Sequence, residues 1–174
     1  LQDALGLEQL PRVMECFDIS NISVTHVVAS MVCFRDGTPD KSNYRRYRIT
    51  SIQGQDDFAA MAEVVRRRYS RILLESRLPE TGRPAVRLPD LVIVDGGKGQ
   101  LSSASRELGA LGLAHLPIIG LAKQHEEIFR PGRPAPLVLP EDSGALRLLQ
   151  RIRDEAHRFA NSYHQLLMKR RIAE

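Results

Sequence analysis

The sequence predicts a mixed α/β fold: a five-stranded sheet, extended by a small hairpin, with helices on both faces. Three observations carry that prediction. Residues 91–94 (LVIV) form an unbroken apolar run rich in β-branched side chains, which suits a strand covered on both faces. The run ends on Asp95 and then Gly96-Gly97-Lys98-Gly99, where the chain turns sharply and can start a helix near Gln100. Upstream lie three strand-like runs joined by short turns, and apolar residues recur at helical spacing before, after and beyond the central strand.

Taken in order, residues 1–11 read as the tail of a preceding linker or helix, with Pro11 as a break, and residues 12–174 as the domain. Residues 12–20 (RVMECFDIS) alternate as a strand, with Asp18 on the face of Met14 and Cys16. After a turn at 21–23, residues 24–34 form a long apolar second strand. Arg35-Asp36-Gly37 and Thr38-Pro39 are turn chemistry, and residues 44–49 alternate apolar or aromatic with arginine as a third strand. Phe58, Met61, Val65, Tyr69 and Ile72 then mark a helix with Asp56 and Asp57 at its start, where capping alone would explain the two aspartates. A proline-rich loop at 78–88 leads into the central strand. A helix at 101–111 closed by Gly112, a strand at 117–122, and a hairpin of 127–130 with 137–139 around Pro131-Gly132 follow. Ser143 caps a long final helix whose apolar stripe is Leu146, Leu149, Ile152, Ala156, Phe159 and Tyr163.

Composition limits the function classes. The chain of 174 residues, 43% hydrophobic and 26% charged, has the make-up of an ordinary globular domain. No apolar run nears the roughly 20 residues that cross a bilayer, and the N-terminus lacks a signal-peptide pattern. Cys16 and Cys33 lie in strand-like runs without metal-binding spacing, so core thiols in a reducing cytoplasm are expected. Net charge is +4, yet 21 of the 25 basic residues are arginine, clustered at 45–48, 66–71, 147–158 and 169–171. The planar guanidinium matches phosphate oxygens in pairs, so the bias points to nucleic acid, although solvated helix faces would also hold such charge.

The element order β-β-β-α-β-α-β-α resembles the ribonuclease H-like arrangement, in which the first and fourth strands lie parallel at the sheet's centre. Asp18 and Asp95 sit near the carboxyl ends of those strands. Two carboxylates brought within about 4–6 Å repel unless a cation lies between them, and oxygen ligands suit Mg²⁺ or Mn²⁺. On the last helix Gln150, Arg153, His157, Asn161 and His164 form a polar stripe opposite the apolar one. Facing a two-aspartate edge, His157 becomes a candidate third ligand or proton carrier, where alone it would read as a surface residue.

Several motifs in the same order resemble one family. They are Glu15-Cys16-Phe17-Asp18-Ile19-Ser20, Val28-Ala29-Ser30-Met31-Val32, Tyr44-Arg45-Arg46-Tyr47, Asp56-Asp57-Phe58-Ala59-Ala60-Met61, Val94-Asp95-Gly96-Gly97-Lys98-Gly99-Gln100-Leu101, Gly120-Leu121-Ala122-Lys123 and Ile152-Arg153-Asp154-Glu155-Ala156-His157-Arg158-Phe159-Ala160. Together they resemble the C-terminal nuclease domain of UvrC, the incision subunit of bacterial nucleotide excision repair. That resemblance implies an RNase H-like endonuclease domain cutting damaged DNA on the 5′ side of a lesion. Its implied catalytic set is Asp18, Asp95 and His157, with Asp57 as a further acidic member. It also implies UvrB as partner, UvrA acting upstream, and a GIY-YIG nuclease, a UvrB-binding segment and a helix-hairpin-helix pair outside this stretch. The chain departs from many relatives at Asn21 and Ser23, where they carry histidine and glycine, and at Gly144, where they carry proline.

The expected chemistry is metal-assisted phosphodiester hydrolysis, with one or two divalent ions on Asp18 and Asp95 and His157 completing the site. Lys98 and the glycine backbone are candidates for a neighbouring phosphate, and Arg153, Arg66 and Arg67 for positioning the strand. Two other classes stay open on residues alone: a non-catalytic RNase H-like module that binds DNA or a partner, and a nucleotide-binding domain built on 96–99. The second fits poorly, since neither GxxxxGK[ST] nor GxGxxG is present.

Overall fold

The computed structural model describes residues 1–23, 26–50, 56–76, 87–122 and 126–173. Most of the predicted loop at 78–88, the first two residues of the predicted second strand, and Lys123 lie outside them. In chain order the elements are α1 (Gln2–Leu5), β1 (Val13–Ser23), β2 (His26–Arg35), β3 (Thr38–Pro39), a 3-10 turn, β4 (Arg45–Arg48), α2 (Asp57–Ser76), β5 (Leu91–Asp95), α3 (Lys98–Ala110), β6 (Ile118–Leu121), β7 (Ile128–Arg130), β8 (Arg133–Leu137) and α4 (Gly144–Ala173). The expected mixed α/β architecture holds, with one eight-stranded sheet in place of five strands and a hairpin.

The sheet order is β3-β2-β1-β5-β6-β7-β8, with β4 also on β2. Strands β1 and β5, the predicted first and fourth, are parallel neighbours in register from Met14↔Leu91 to Phe17↔Val94. Strand β6 continues the parallel run beside β5, and β7 and β8 add an antiparallel edge.

Four elements depart from the sequence reading. Thr38–Pro39, expected within the turn, pairs with Phe34 and Arg35 as the short strand β3. Strand β1 runs through the expected turn at 21–23, with an irregularity between Asn21 and Ser23, because its pairing with β2 continues that far. The last strand is Arg133–Leu137, not 137–139: the Pro131-Gly132 turn needs only two residues, so pairing resumes at once. Pro134 and Pro136 fit within it because β8 is an edge, where a missing N–H costs no ladder bond. Helix α3 starts at Lys98, directly after Gly96-Gly97, so Gly99 lies in its first turn.

Strand alternation splits the core into two layers. Phe17, Val92 and Val94 face one way and pack with Met61, Val65 and Tyr69 of α2 and Leu101 and Leu108 of α3. Met14, Cys16, Leu91 and Ile93 face the other way and pack with Leu149, Ile152 and Ala156 of α4. Leu5 of the opening segment is buried in this second layer. Among the described residues no helix is long and apolar enough to cross a membrane.

Inside the first layer sits a buried ion pair. The Arg68 guanidinium donates to Glu15 Oε2 at 2.8 Å, and the Tyr69 hydroxyl donates to Glu15 Oε1 at 2.8 Å. Burial pushes the Tyr69 hydroxyl well up, and the Glu15 carboxylate beside it pushes the same way.

Candidate active site

Parity along two strands places the carboxylates. Asp18 follows Met14 and Cys16 at period two, and Asp95 follows Leu91 and Ile93, so both lie on the face that α4 covers. Both come one residue after the last paired positions of β1 and β5, at the carboxyl edge of the parallel strands. On α4, His157 follows the buried Ala156 and lies one turn after Arg153. Its Nε2 reaches Asp95 Oδ2 at 2.5 Å. One ligand atom each from Asp18, Asp95 and His157 lie within 4.8 Å of one another, the arrangement among the described residues that could hold a metal ion.

Below them, the Cys16 thiol is pushed well up, first by burial and then by the charges of Asp95 and Asp18. The ligand atoms that converge are two carboxylates and an imidazole. That donor set fits a divalent metal ion, and three protein ligands leave room for water and a phosphate oxygen. Ser30, the register partner of Asp18, is 1% exposed and its Oγ has no hydrogen-bond partner. A buried hydroxyl without a partner beside the cluster is in keeping with a site built to receive a polar ligand.

The remaining predicted residues do not join the cluster. Asp57 opens α2, on the opposite layer, and its Oδ1 accepts Asn21 Nδ2 at 3.0 Å. The capping role belongs to Asp56, whose Oδ1 accepts the Ala59 N–H at 3.0 Å. Arg66 pairs with Glu107 at 3.8 Å, towards the far end of α3. Arg67 is held by Glu63 at 3.0 Å and the Arg48 carbonyl at 2.7 Å. Arg153 does lie close to Asp95, but donates twice to Glu126, at 2.9 and 3.1 Å, with its side chain 12% exposed. Glu126's hydrogen bonds raise the guanidinium pKa, and Arg153 in turn lowers that of Glu126. Arg153 is therefore a fixed cation behind the cluster, not a free phosphate contact. Lys98 is exposed at the start of α3, its Nζ 5.7 Å from the Phe129 ring centre.

Two contributors had escaped the sequence reading. Glu126, at φ 50, is the acid that holds Arg153, and nothing in its sequence neighbourhood marks it. Arg46, expected on an outward basic face, lies 3.9 Å over the Phe159 ring and donates to Ser162 Oγ at 2.8 Å, tying β4 to α4 beside the site. The glycines also act differently from expectation. Gly97 has φ −91, and neither Gly96 nor Gly99 has positive φ. They serve close approach: a Cβ on Gly99 would lie 2.3 Å from the Phe58 ring, and one on Gly96 would lie 2.7 Å from Gln100.

Comparisons with known proteins bear on this site. UvrABC system protein C of Methanosarcina mazei is 52% identical over 174 residues, covering 100% of this chain and 31% of that protein. The Methanospirillum hungatei protein of the same name is 53% identical over 174 residues, 32% of its length. That of Pelodictyon phaeoclathratiforme is 51% identical over 174 residues, 26% of its length. The chain thus spans about a third of these relatives or less. Ciona intestinalis Endonuclease V, solved with a 24mer DNA containing an inosine followed by a ribo-adenosine, gives a TM-score of 0.42 at 18% identity, over 83% of this chain and 56% of that one. The family described as the UvrC RNAse H endonuclease domain matches residues 2–161, which include all three residues of the cluster. On that match, and on identities near one half along the full length of the chain, this protein belongs to the UvrC RNase H endonuclease domain family.

Proposed function

We propose that this domain is a divalent-metal-dependent endonuclease making the 5′ incision in damaged DNA during nucleotide excision repair. The observation that carries the reading is the convergence of Asp18, Asp95 and His157 ligand atoms within 4.8 Å, in a chain of this family. Asp18, Asp95 and His157 Nε2 would hold Mg²⁺ or Mn²⁺. Such an ion supplies charge stabilisation at the phosphoryl oxygens and a water of lowered pKa.

The chain's own residues do the placing. Two carboxylates at the carboxyl ends of adjacent parallel strands are held side by side by the strand register, so the pair is in place before DNA arrives. His157 Nε2 rests on Asp95 Oδ2, where it can complete the ligand set or hold a proton beside it. Arg153, fixed by Glu126, offsets the negative charge behind Asp95. DNA is the substrate, UvrB the direct partner and UvrA the upstream one, in the cytoplasm, as resemblance to the UvrABC proteins supports.

Asp18→Asn and Asp95→Asn test this. Each is expected to abolish Mn²⁺-supported nicking of plasmid DNA while leaving the circular dichroism spectrum unchanged. Stability should hold or rise, since one of two repelling carboxylates is removed. Near-normal nicking by either variant would overturn the metal assignment.

A further inference from the structure

The layer opposite α4 carries a second charged feature. Between α3 and the β7–β8 hairpin lies a groove of about 510 Å³, lined by Lys98, Ser102, Arg106, Arg130 and Arg133 over the Phe129 ring. No acidic side chain lines it, and among the described residues none of its four cations has a carboxylate within ion-pair distance. The other arginines discussed above are mostly held: Arg46, Arg66, Arg67, Arg68 and Arg153 all have partners. One atom makes the point sharply. Arg130 Nε is buried and has no hydrogen-bond partner. A desolvated guanidinium N–H without an acceptor is costly, and it leaves the Arg130 charge uncompensated beside the groove.

The groove also has a direction. Its upper end is Lys98, which follows Asp95-Gly96-Gly97 at the carboxyl edge of the sheet. From there it follows one face of α3 to Arg106. That is roughly 12 Å at about 1.5 Å per residue, long enough for more than one phosphate of a strand. A small anion would need one or two of these cations; a row leading from the cluster fits a chain of phosphates. We infer that this groove holds the phosphate backbone of the DNA strand flanking the cut, with Arg106, Arg130 and Arg133 as contacts beyond Lys98. The inference rests on the nuclease reading for the identity of the strand, and its test is separable from it.

DNA binding is measured in EDTA, so that no metal chemistry enters, using a fluorescein-labelled forked duplex of mixed sequence and fluorescence anisotropy across a salt series. Arg106 and Arg133 are exposed, so Arg106→Glu/Arg133→Glu should fold, and Arg106→Gln/Arg133→Gln guards against mere repulsion. The Glu pair is expected to weaken binding at least about tenfold and to lower the slope of log K against log salt by about 1.4–1.8, two phosphate contacts at about 0.7–0.9 each. The Gln pair should lose the same slope with a smaller fall in affinity. Arg147→Glu, exposed on α4, changes the net charge by the same two units as the Gln pair and should leave the slope unchanged. Unchanged affinity and slope in the Glu pair, or an equal loss in the control, would overturn the groove. Nicking by the parent chain with Mn²⁺ reports on the nuclease reading independently, so that reading can stand or fall without the groove.

Discussion

His157 shows how little a residue type says until its neighbours are known. A histidine on a solvated helix face is usually inert, and here the same side chain touches Asp95 at 2.5 Å. The expected consequence is specific. His157→Ala should lower the nicking rate by about two to four orders of magnitude, the range of a lost acid–base or ligand role, with DNA affinity in EDTA nearly unmoved. A fall in affinity with turnover preserved would make the imidazole a phosphate contact instead. Asp57 makes the converse point. It stands in an acidic motif, yet its side chain meets Asn21 and lies on the layer away from the cluster. Arg153 is legible as a cation near the site, but its bond to Glu126 removes it from the set of free phosphate contacts.

Elements set which of these residues meet. Helix α2 packs against β1 through Tyr69, edge-on to Phe17 at 5.9 Å, and through the Arg68–Glu15 pair, whose side chains are 7% and 2% exposed. A buried pair is weak evidence of net stabilisation, but losing one partner strands the other charge. Arg68→Met is therefore expected to cost about 3–5 kcal/mol in urea unfolding. Glu15→Met/Arg68→Met should recover most of that loss, because the pair is replaced by apolar volume and no charge is left behind. If the double variant is as unstable as the single, the pair contributes directly and not only through the penalty of being broken. Nothing in the sequence joined Glu15 to Arg68: they lie on different elements, and Arg68 belongs to a run whose other members are exposed. Helix α3 shows a similar dependence on context, since the Phe58 ring rests on Gly99, where a Cβ would make it shift.

At the scale of the molecule, two faces of one sheet carry two charged features. The α4 face holds the anionic cluster, and the α3 face holds the cationic groove. With a net charge of +4 and many arginines tied into pairs, the chain alone is expected to bind DNA weakly and with strong salt dependence. It should nick plasmid DNA poorly, without regard to damage, and better with Mn²⁺ than with Mg²⁺, because Mn²⁺ tolerates the imidazole nitrogen. A plasmid-nicking assay at low salt, with and without a lesion and with each metal, checks this. Efficient lesion-specific cutting by this chain would show that damage recognition lies within it.

Periodicity and turn chemistry by themselves determined much of this protein. The alternation in β1, the unbroken run of β5 and the stripe on α4 are local patterns, and each element buries the face its own sequence marks. Parity then placed Asp18 and Asp95 on one side, and the order of elements made β1 and β5 parallel neighbours. What only the tertiary structure decided were pairings between positions distant in the chain that share no local pattern: Glu126 with Arg153, Glu15 with Arg68, and Arg46 with Phe159. The hairpin edge depended on context too, since proline reads as a break until the strand is known to lie at the sheet's rim. Charge is the clearest case. Sequence counts the arginines, but only packing separates those neutralised by a carboxylate from those left facing a groove, because ion pairing depends on distance in space and not along the chain.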